Sequence, residues 1–154
     1  MAIEDALKSA LRLTTHELGT IKIEREGIEG AKALGSSTQL AHVLMNLLVN
    51  SAHAIKTAGR EKDATIKVSC SQVDGFVRVA VRDNGCGVEA ANLSRLMDPF
   101  FTTKAPGEGM GLGLSICHTI VKNHGGTIRI ESQRGQWTQV SVDLPAPVSV
   151  RSAA

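Results

Sequence analysis

The feature that most limits the possible folds is a repeated change of hydrophobic period along the chain. In residues 38–57 apolar side chains recur every three or four positions, which predicts one long helix that ends before Gly59. Ser36 and Ser37 offer an N-cap for that helix. The same period returns in residues 112–124 and predicts a second helix, because the two glycines that follow suit a left-handed C-cap.

Between and after these helices, apolar and polar residues alternate as they do in half-buried strands. Asp74 and Gly75 form a hairpin signal between two such segments. Two further helices are predicted, an amphipathic one over residues 2–18 that ends at Gly19 and a short one over residues 91–97. The predicted strands are residues 21–25, 31–34, 65–70, 76–82, 127–131 and 138–144.

This order of elements predicts an α/β two-layer sandwich, with helices on one face of a mixed, mostly antiparallel sheet of about five strands. The other face of the sheet is expected to be solvated. A chain of 154 residues that is 42% hydrophobic can bury the core of one domain. We therefore predict a single domain over residues 1–148 and a disordered tail over residues 149–154.

Composition gives little indication of a macromolecular partner. Seventeen basic and fifteen acidic residues leave a formal net charge of +2, which favours neither nucleic acid nor an anionic membrane as a ligand. The three cysteines show no Cys-x-x-Cys pair, so free thiols in a reducing compartment are the simplest interpretation. The sequence has no signal-peptide pattern and no stretch near the ~20 apolar residues of a membrane span. We expect a cytoplasmic piece without direct membrane contact, although its parent protein can be membrane-anchored.

Two asparagines, Asn46 and Asn50, lie four residues apart and therefore on one face of the helix predicted over residues 38–57. A carboxamide oxygen is a hard ligand, and Mg²⁺ bound to a triphosphate usually takes only one or two protein oxygens. The pair is therefore a candidate magnesium site. Solvated or core-bonded asparagines are the alternative interpretation.

A second polar motif, Asp83-Asn-Gly-Cys-Gly87, leaves the end of a predicted strand. An ionised carboxylate at that place can accept a hydrogen bond from the exocyclic amine of adenine, a group that guanine lacks at the same position. Gly85 and Gly87 would let a flat ligand approach the backbone. A plain turn is the alternative interpretation.

A glycine-rich run, Gly107-Glu-Gly-Met-Gly-Leu-Gly-Leu-Ser115, leads into the helix predicted over residues 112–124. Its glycines free backbone N–H groups to face an anion, and the helix N-terminus adds partial positive charge, so the run predicts a phosphate site. It is not a Walker A loop, because no Gly-Lys-Ser or Gly-Lys-Thr follows. It also lacks the βαβ context of the dinucleotide fingerprint. A mobile glycine hinge is the alternative interpretation.

Taken in order with Asp98-Pro-Phe-Phe-Thr-Thr-Lys104, these three motifs resemble the N box, first glycine box, F box and second glycine box of sensor histidine kinase catalytic domains. The resemblance continues to Leu144-Pro145 and covers nearly the whole chain. It implies the Bergerat-type ATP-binding fold of the GHKL superfamily, with ATP and Mg²⁺ as cofactors. It also implies transfer of the γ-phosphoryl group of ATP to a histidine on a dimerisation and phosphoacceptor hairpin absent from this chain. From there the phosphoryl group would pass to a response regulator receiver domain.

The same resemblance assigns roles to individual residues. Asn50 would bind Mg²⁺, and Asn46 would contact phosphate directly or through water. Asp83 would recognise adenine, with Thr138 supporting it through its hydroxyl. Asn46 and Lys104 would be the catalytic residues. The nucleotide-binding set that the resemblance implies is Asn46, Asn50, His53, Asp83, Gly85, Gly87, Thr102, Thr103, Lys104, Gly109, Met110, Gly111, Leu112, Gly113, Leu114 and Thr138.

Asn46 stands where the wider superfamily carries a glutamate that activates water. An amide cannot take a proton at neutral pH, so hydrolysis is disfavoured and phosphoryl transfer to an incoming imidazole is expected. His16 begins a His-Glu-Leu that resembles a phosphoacceptor segment, but the proline typical of that segment does not follow. We therefore expect His16 to be a surface residue, and the isolated chain to be a monomer that binds ATP without phosphorylating itself.

Two residues depart from the pattern of the family. Trp137 stands where glycine is common, and would either crowd the adenine pocket or pack on its rim. Met110 stands where threonine is frequent, with little expected effect because the phosphate donors there are backbone groups. Two other functions stay open at this point: an anti-sigma-type serine kinase of the same superfamily, and an inactive nucleotide-binding scaffold.

Overall fold

The computed structural model of the chain describes residues 1–59, 63–88 and 113–147. Within them a five-stranded sheet carries helices on one face. The strands are β1 Lys22–Glu26, β2 Thr65–Val73, β3 Phe76–Asp83, β4 Thr127–Gln133 and β5 Trp137–Pro145. The helices are α1 Ile3–Leu13, α2 Thr15–Leu18, α3 Ser37–Ala58 and α4 Gly113–Asn123. The predictions at residues 91–97 and 149–154 lie outside the described residues.

The sheet has the strand order β1-β2-β3-β5-β4. β1 is parallel to β2, and all the other neighbours are antiparallel. The β2–β3 hairpin turns at Asp74 and Gly75, whose φ angles of 46° and 83° lie in the left-handed region that a type I′ turn requires. The mixed, mostly antiparallel sheet is therefore as predicted.

The long helix α3 lies at the centre of the core between the sheet, α1 and α4. Ser36 caps its start by accepting a hydrogen bond from the Gln39 N–H at 3.3 Å, and Gly59 ends it in a left-handed conformation with φ of 68°. Side chains of α3 such as Leu44 and Leu48 are fully buried in the cluster that also holds the inward-facing valines of β2 and β3. Each such side chain contributes about 1.5–3 kcal/mol by leaving water.

The outer face of the sheet is mostly polar, as expected. Arg78 on β3 makes two hydrogen bonds to Asp143 on β5, at 2.7 and 2.9 Å. Lys67 pairs with Glu26 at 2.6 Å. In the described part of the chain, no helix is long and apolar enough to cross a bilayer.

The single helix predicted over residues 2–18 is wrong, because the helix breaks at Thr14. The Thr14 hydroxyl donates back to the Ala10 carbonyl at 2.7 Å, and the Thr15 hydroxyl donates to the Leu11 carbonyl at 3.1 Å. Such hydroxyls offer the backbone an alternative to the helical ladder, so α1 and α2 form separate elements.

The strand predicted over residues 31–34 is also wrong. Only one isolated bridge forms there, between Ala2 and Lys32. The backbone of this segment instead ties together two distant parts of the chain, since the Ala33 N–H donates to the Met1 carbonyl and the Leu34 N–H donates to the Pro145 carbonyl. This segment joins α1 to the end of β5, and the described residues give it no continuous partner strand.

Candidate functional site

Asp83 is a buried carboxylate at the end of β3. Its side chain is 4% exposed and faces the helices, because the residues that alternate with it, such as Val79 and Val81, belong to the core. The Gly85 N–H donates to Asp83 Oδ1 at 2.8 Å. Burial raises the pKa of Asp83, and this rise is opposed by the Gly85 N–H and by a hydrogen bond from the Ser51 hydroxyl. The site therefore holds an acceptor at a defined place on the core side of the sheet.

Hydrogen bonds hold the loop that follows Asp83 against three neighbouring elements. The Cys86 N–H donates to the Ala54 carbonyl of α3 at 3.1 Å, and the Cys86 carbonyl accepts from Gly135 N–H at 2.6 Å in the β4–β5 turn. Asn84 accepts from the Thr65 N–H at 3.0 Å at the start of β2. This loop is therefore held between α3, β2 and the β4–β5 turn.

Gly85 and Gly87 are needed for protein packing. A Cβ on Gly85 would lie 2.6 Å from the carbonyl carbon of Ala54. Gly87 has φ of 69°, and its Cβ would lie 2.8 Å from Arg134 Cα. The glycines therefore let the loop pack against α3 and the β4–β5 turn, a reason that the motif alone does not reveal.

Thr138 on β5 is paired in register with Asp83 on β3, so both side chains point to the same face. Its Oγ1 lies 3.0 Å from Ser132 Oγ on β4. The Ser132 hydroxyl donates its hydrogen to the Trp137 carbonyl and accepts from the Val88 N–H. Thr138 must therefore be the donor to Ser132, which leaves the lone pairs of Thr138 as acceptors on the site.

Trp137 lies on the opposite face of the sheet from Asp83 and Thr138. Successive residues of β5 alternate between faces, and the Trp137 ring stacks on the Arg82 guanidinium, with 4.2 Å from the Arg82 Cζ to the ring centroid. Trp137 therefore does not crowd the side of the sheet on which Asp83 lies.

Asn46 and Asn50 lie one turn apart on α3, as predicted. Within the described residues, Asn46 Nδ2 is a buried side-chain nitrogen without a hydrogen-bond partner. Its amide neighbours the Cys117 thiol of α4, whose pKa burial raises to about 12 while Asn46 opposes the rise. Leaving such a donor unpaired costs about 1–3 kcal/mol, so Asn46 Nδ2 suits an oxygen supplied by a ligand or water.

The other predicted site residues that the structure describes lie on α3 and α4. His53 is half-buried on the next turn of α3 after Asn50, and Gly113 and Leu114 form the first turn of α4. His16 is exposed on α2. The other predicted positions lie outside the described residues: Thr102, Thr103, Lys104, Gly109, Met110, Gly111 and Leu112.

The motifs in the sequence did not predict three polar residues that lie at the site. Ser51 follows the metal candidate Asn50, Asn84 lies inside the Asp83 motif, and Ser132 lies opposite Thr138. Only Asn84 had a local signal, because it sits between an acid and a glycine in a turn. The contacts of Ser51 and Ser132 depend on how distant elements are packed.

Residues 35–148 match the family described as histidine kinase-, DNA gyrase B-, and HSP90-like ATPase. The chain is 40% identical over 111 residues to the sensor histidine kinase ZraS of Escherichia coli K12, covering 72% of this chain and 22% of that protein. It is 42% identical over 118 residues to the two-component sensor PprA of Pseudomonas aeruginosa, covering 73% of this chain and 13% of that protein. The chain therefore spans less than a quarter of the length of these relatives.

The fold is shared with solved structures. The catalytic domain of the histidine kinase ThkA superposes with a TM-score of 0.79 at 26% identity, covering 94% of this chain and 93% of that chain.

Proposed function

This chain belongs to the histidine kinase-, DNA gyrase B-, and HSP90-like ATPase family, as its motifs predicted. On that premise we propose that it is the ATP-binding catalytic domain of a sensor histidine kinase. In the proposed reaction the domain binds ATP with Mg²⁺ and presents the γ-phosphoryl group to a histidine on a separate phosphoacceptor hairpin of the parent protein. A response regulator receives the phosphoryl group in turn. The relatives named above are a sensor histidine kinase and a two-component sensor, which disfavours the serine kinase and the inactive scaffold.

The observation that carries the proposal is the environment of Asp83. Its carboxylate accepts hydrogen bonds from the Gly85 N–H and the Ser51 hydroxyl. Because the two carboxylate oxygens together can accept about four, acceptor capacity remains for the exocyclic amine of adenine. Thr138 lies beside it in register and contributes acceptor lone pairs. These are the groups that distinguish adenine, which presents a donor at this edge, from guanine, which presents an acceptor.

Asn46 and Asn50 are suited to the phosphate end of the nucleotide. Asn50 would supply one hard oxygen to Mg²⁺, and the unpaired Asn46 Nδ2 would donate to a phosphate oxygen or to a water molecule bound there. When bound, Mg²⁺ neutralises charge on the phosphates. Asn46 cannot act as a base, so the site supports transfer to an external nucleophile better than hydrolysis.

Titration calorimetry with Mg²⁺ and either ATP or GTP tests this proposal. We expect ATP to bind roughly 100-fold more tightly than GTP, because guanine would place a carbonyl against the buried Asp83 carboxylate, and two acceptors cannot hydrogen-bond to each other. Asp83→Asn should weaken ATP binding and narrow the difference, since an amide can donate to the guanine carbonyl. Equal affinities of the wild-type chain for the two nucleotides would overturn the proposal.

A further inference from the structure

His124 joins the end of α4 to the start of α3 through both of its ring nitrogens. Nδ1 lies 2.8 Å from the Ile120 carbonyl oxygen, within its own helix. Nε2 accepts a hydrogen bond from the backbone N–H of Ser36 at 3.2 Å. Ser36 is the N-cap residue of α3, so the ring bridges two helix ends that lie far apart in sequence.

These two contacts define the state of the ring. The Ile120 carbonyl only accepts, so Nδ1 must carry the hydrogen, and the Ser36 N–H only donates, so Nε2 must be bare. The ring is therefore neutral with its hydrogen on Nδ1.

The backbone around His124 is shaped to hold the ring in place. The Gly125 N–H donates to the Lys122 carbonyl and the Gly126 N–H to the Val121 carbonyl, which is the Schellman arrangement that ends a helix. On the other side, a Cβ on Gly35 would lie 2.7 Å from His124 Nε2. The ring is thus packed directly on the backbone that precedes α3.

A second contact shows that α3 and α4 run antiparallel in a fixed register. Cys117 Sγ lies 3.8 Å from the Val43 carbonyl oxygen. From Ser36 to Val43 is seven residues forward along α3, and from His124 to Cys117 is seven residues back along α4. Because both helices rise about 1.5 Å per residue, three further residues bring Leu114 level with Asn46.

We propose that His124 is a positioning residue for the triphosphate: its bond to the Ser36 N–H fixes the register of α4 on α3, and so sets the first turn of α4 against Asn46 and Asn50. This inference rests on the proposed function. The position of the proposed adenine site does not depend on this bond, because a hydrogen bond from the Cys86 N–H to the Ala54 carbonyl holds the Asp83 loop on α3. Loss of the bond should therefore weaken phosphate binding and spare adenine binding.

The test measures two ligands on the same variants. Affinity for ATP with Mg²⁺ is measured by calorimetry, and affinity for adenosine by the NMR shift of the Gly85 amide. We expect His124→Ala to weaken ATP binding about ten-fold, as loss of one hydrogen bond at a packed contact would, and to leave adenosine within about two-fold. His124→Gln keeps an acceptor near the Nε2 position and should recover most of the loss. His42→Ala, which removes an exposed histidine of α3, is the matched control.

A second variant removes the other partner of the bond. Ser36→Pro deletes the donor N–H, and Ser36→Ala keeps that N–H while losing only the side-chain cap. We expect Ser36→Pro to reproduce the selective loss of ATP affinity, and His124→Ala to add nothing further in that background. Nitrogen NMR of the nucleotide-free chain should show the hydrogen of the His124 ring on Nδ1.

The outcomes separate this inference from the proposed function. If the wild-type chain binds no ATP, the proposed function is wrong and the inference fails with it. If the wild-type chain binds ATP but His124→Ala weakens ATP and adenosine equally, or leaves both unchanged, the inference alone is overturned. Failure of His124→Gln to recover ATP affinity would also contradict it.

Discussion

Burial of the Asp83 carboxylate has a cost for the free protein. Burial raises the pKa of Asp83, so the native chain holds a proton on this group more tightly than the unfolded chain does. Its contribution to the free energy of unfolding must therefore fall as the pH rises from the unfolded carboxyl pKa through the raised native pKa. Above the native pKa the ionised group opposes folding in the absence of nucleotide.

Asp83→Asn should remove this pH dependence. The amide cannot ionise, so the variant should gain stability over the wild-type chain as the pH rises, by about 1.4 kcal/mol for each unit by which the native pKa is raised. Urea unfolding between pH 4 and pH 8, followed by circular dichroism, measures the difference. Asp74→Asn, which makes the same substitution at an exposed hairpin residue, is the matched control. Parallel curves for Asp83→Asn and the wild-type chain would contradict this account.

The sequence was informative about single residues where spacing along one element carries the chemistry. Asn46 and Asn50 could be placed on one face because they share a helix, and Asp83 could be placed at a strand end. Ser51 and Ser132 could not be found in this way, because their partners come from β3 and β5. The Ser51 hydroxyl reaches Asp83 and the Ser132 hydroxyl reaches Thr138 only because of the way in which separate elements are aligned. That alignment cannot be read from the local sequence.

At the scale of elements, the hydrophobic period together with the glycines and capping residues at the ends of elements predicted α3, α4 and the five strands. The failures occurred where side chains or distant segments compete for backbone groups. Thr14 and Thr15 interrupt a helical pattern that is otherwise continuous, and the segment 31–34 donates its backbone hydrogen bonds to the two ends of the described core. Such competition depends on tertiary structure, so hydrophobic period alone does not reveal it.

The contact between the Asp83 loop and the β4–β5 turn can be tested with a matched pair of glycines. Gly87 and Gly135 both have positive φ, at 69° and 80°, but only Gly87 has backbone atoms where a Cβ would lie. Gly135→Ala should cost about 1 kcal/mol from backbone strain, and Gly87→Ala about 2–4 kcal/mol because the overlap with the turn is added. Thermal and urea unfolding give both values. Equal losses would mean that the turn moves aside freely.

At the scale of the whole molecule, the chain matches one part of longer sensor proteins, since it covers 22% of ZraS and 13% of PprA. The order of the motifs along the sequence was enough to predict the family to which the chain belongs. The α3–α4 register and the hydrogen bonds that hold the Asp83 loop could be found only in the folded structure.

The proposed transfer of the phosphoryl group to a histidine outside this chain can be tested directly. Incubated alone with Mg²⁺ and ATP labelled on the γ-phosphate, the chain should take up negligible label, since His16 is exposed on a short helix outside the site. Adding a phosphoacceptor hairpin from a relative should give a label on that hairpin which survives alkali and is lost in acid. Label on the chain itself that disappears in His16→Ala would show that His16 is the acceptor.

The position of Trp137 also makes its fluorescence a reporter of folding. It is the only tryptophan of the chain, which also lacks tyrosine, so it dominates the near-ultraviolet emission. Its ring stacks on Arg82 across the sheet from Asp83, and a nucleotide bound on the core side would not touch it. The emission therefore monitors the integrity of the sheet in the presence of any nucleotide, and folding can be followed separately from ligand occupancy in the same cuvette.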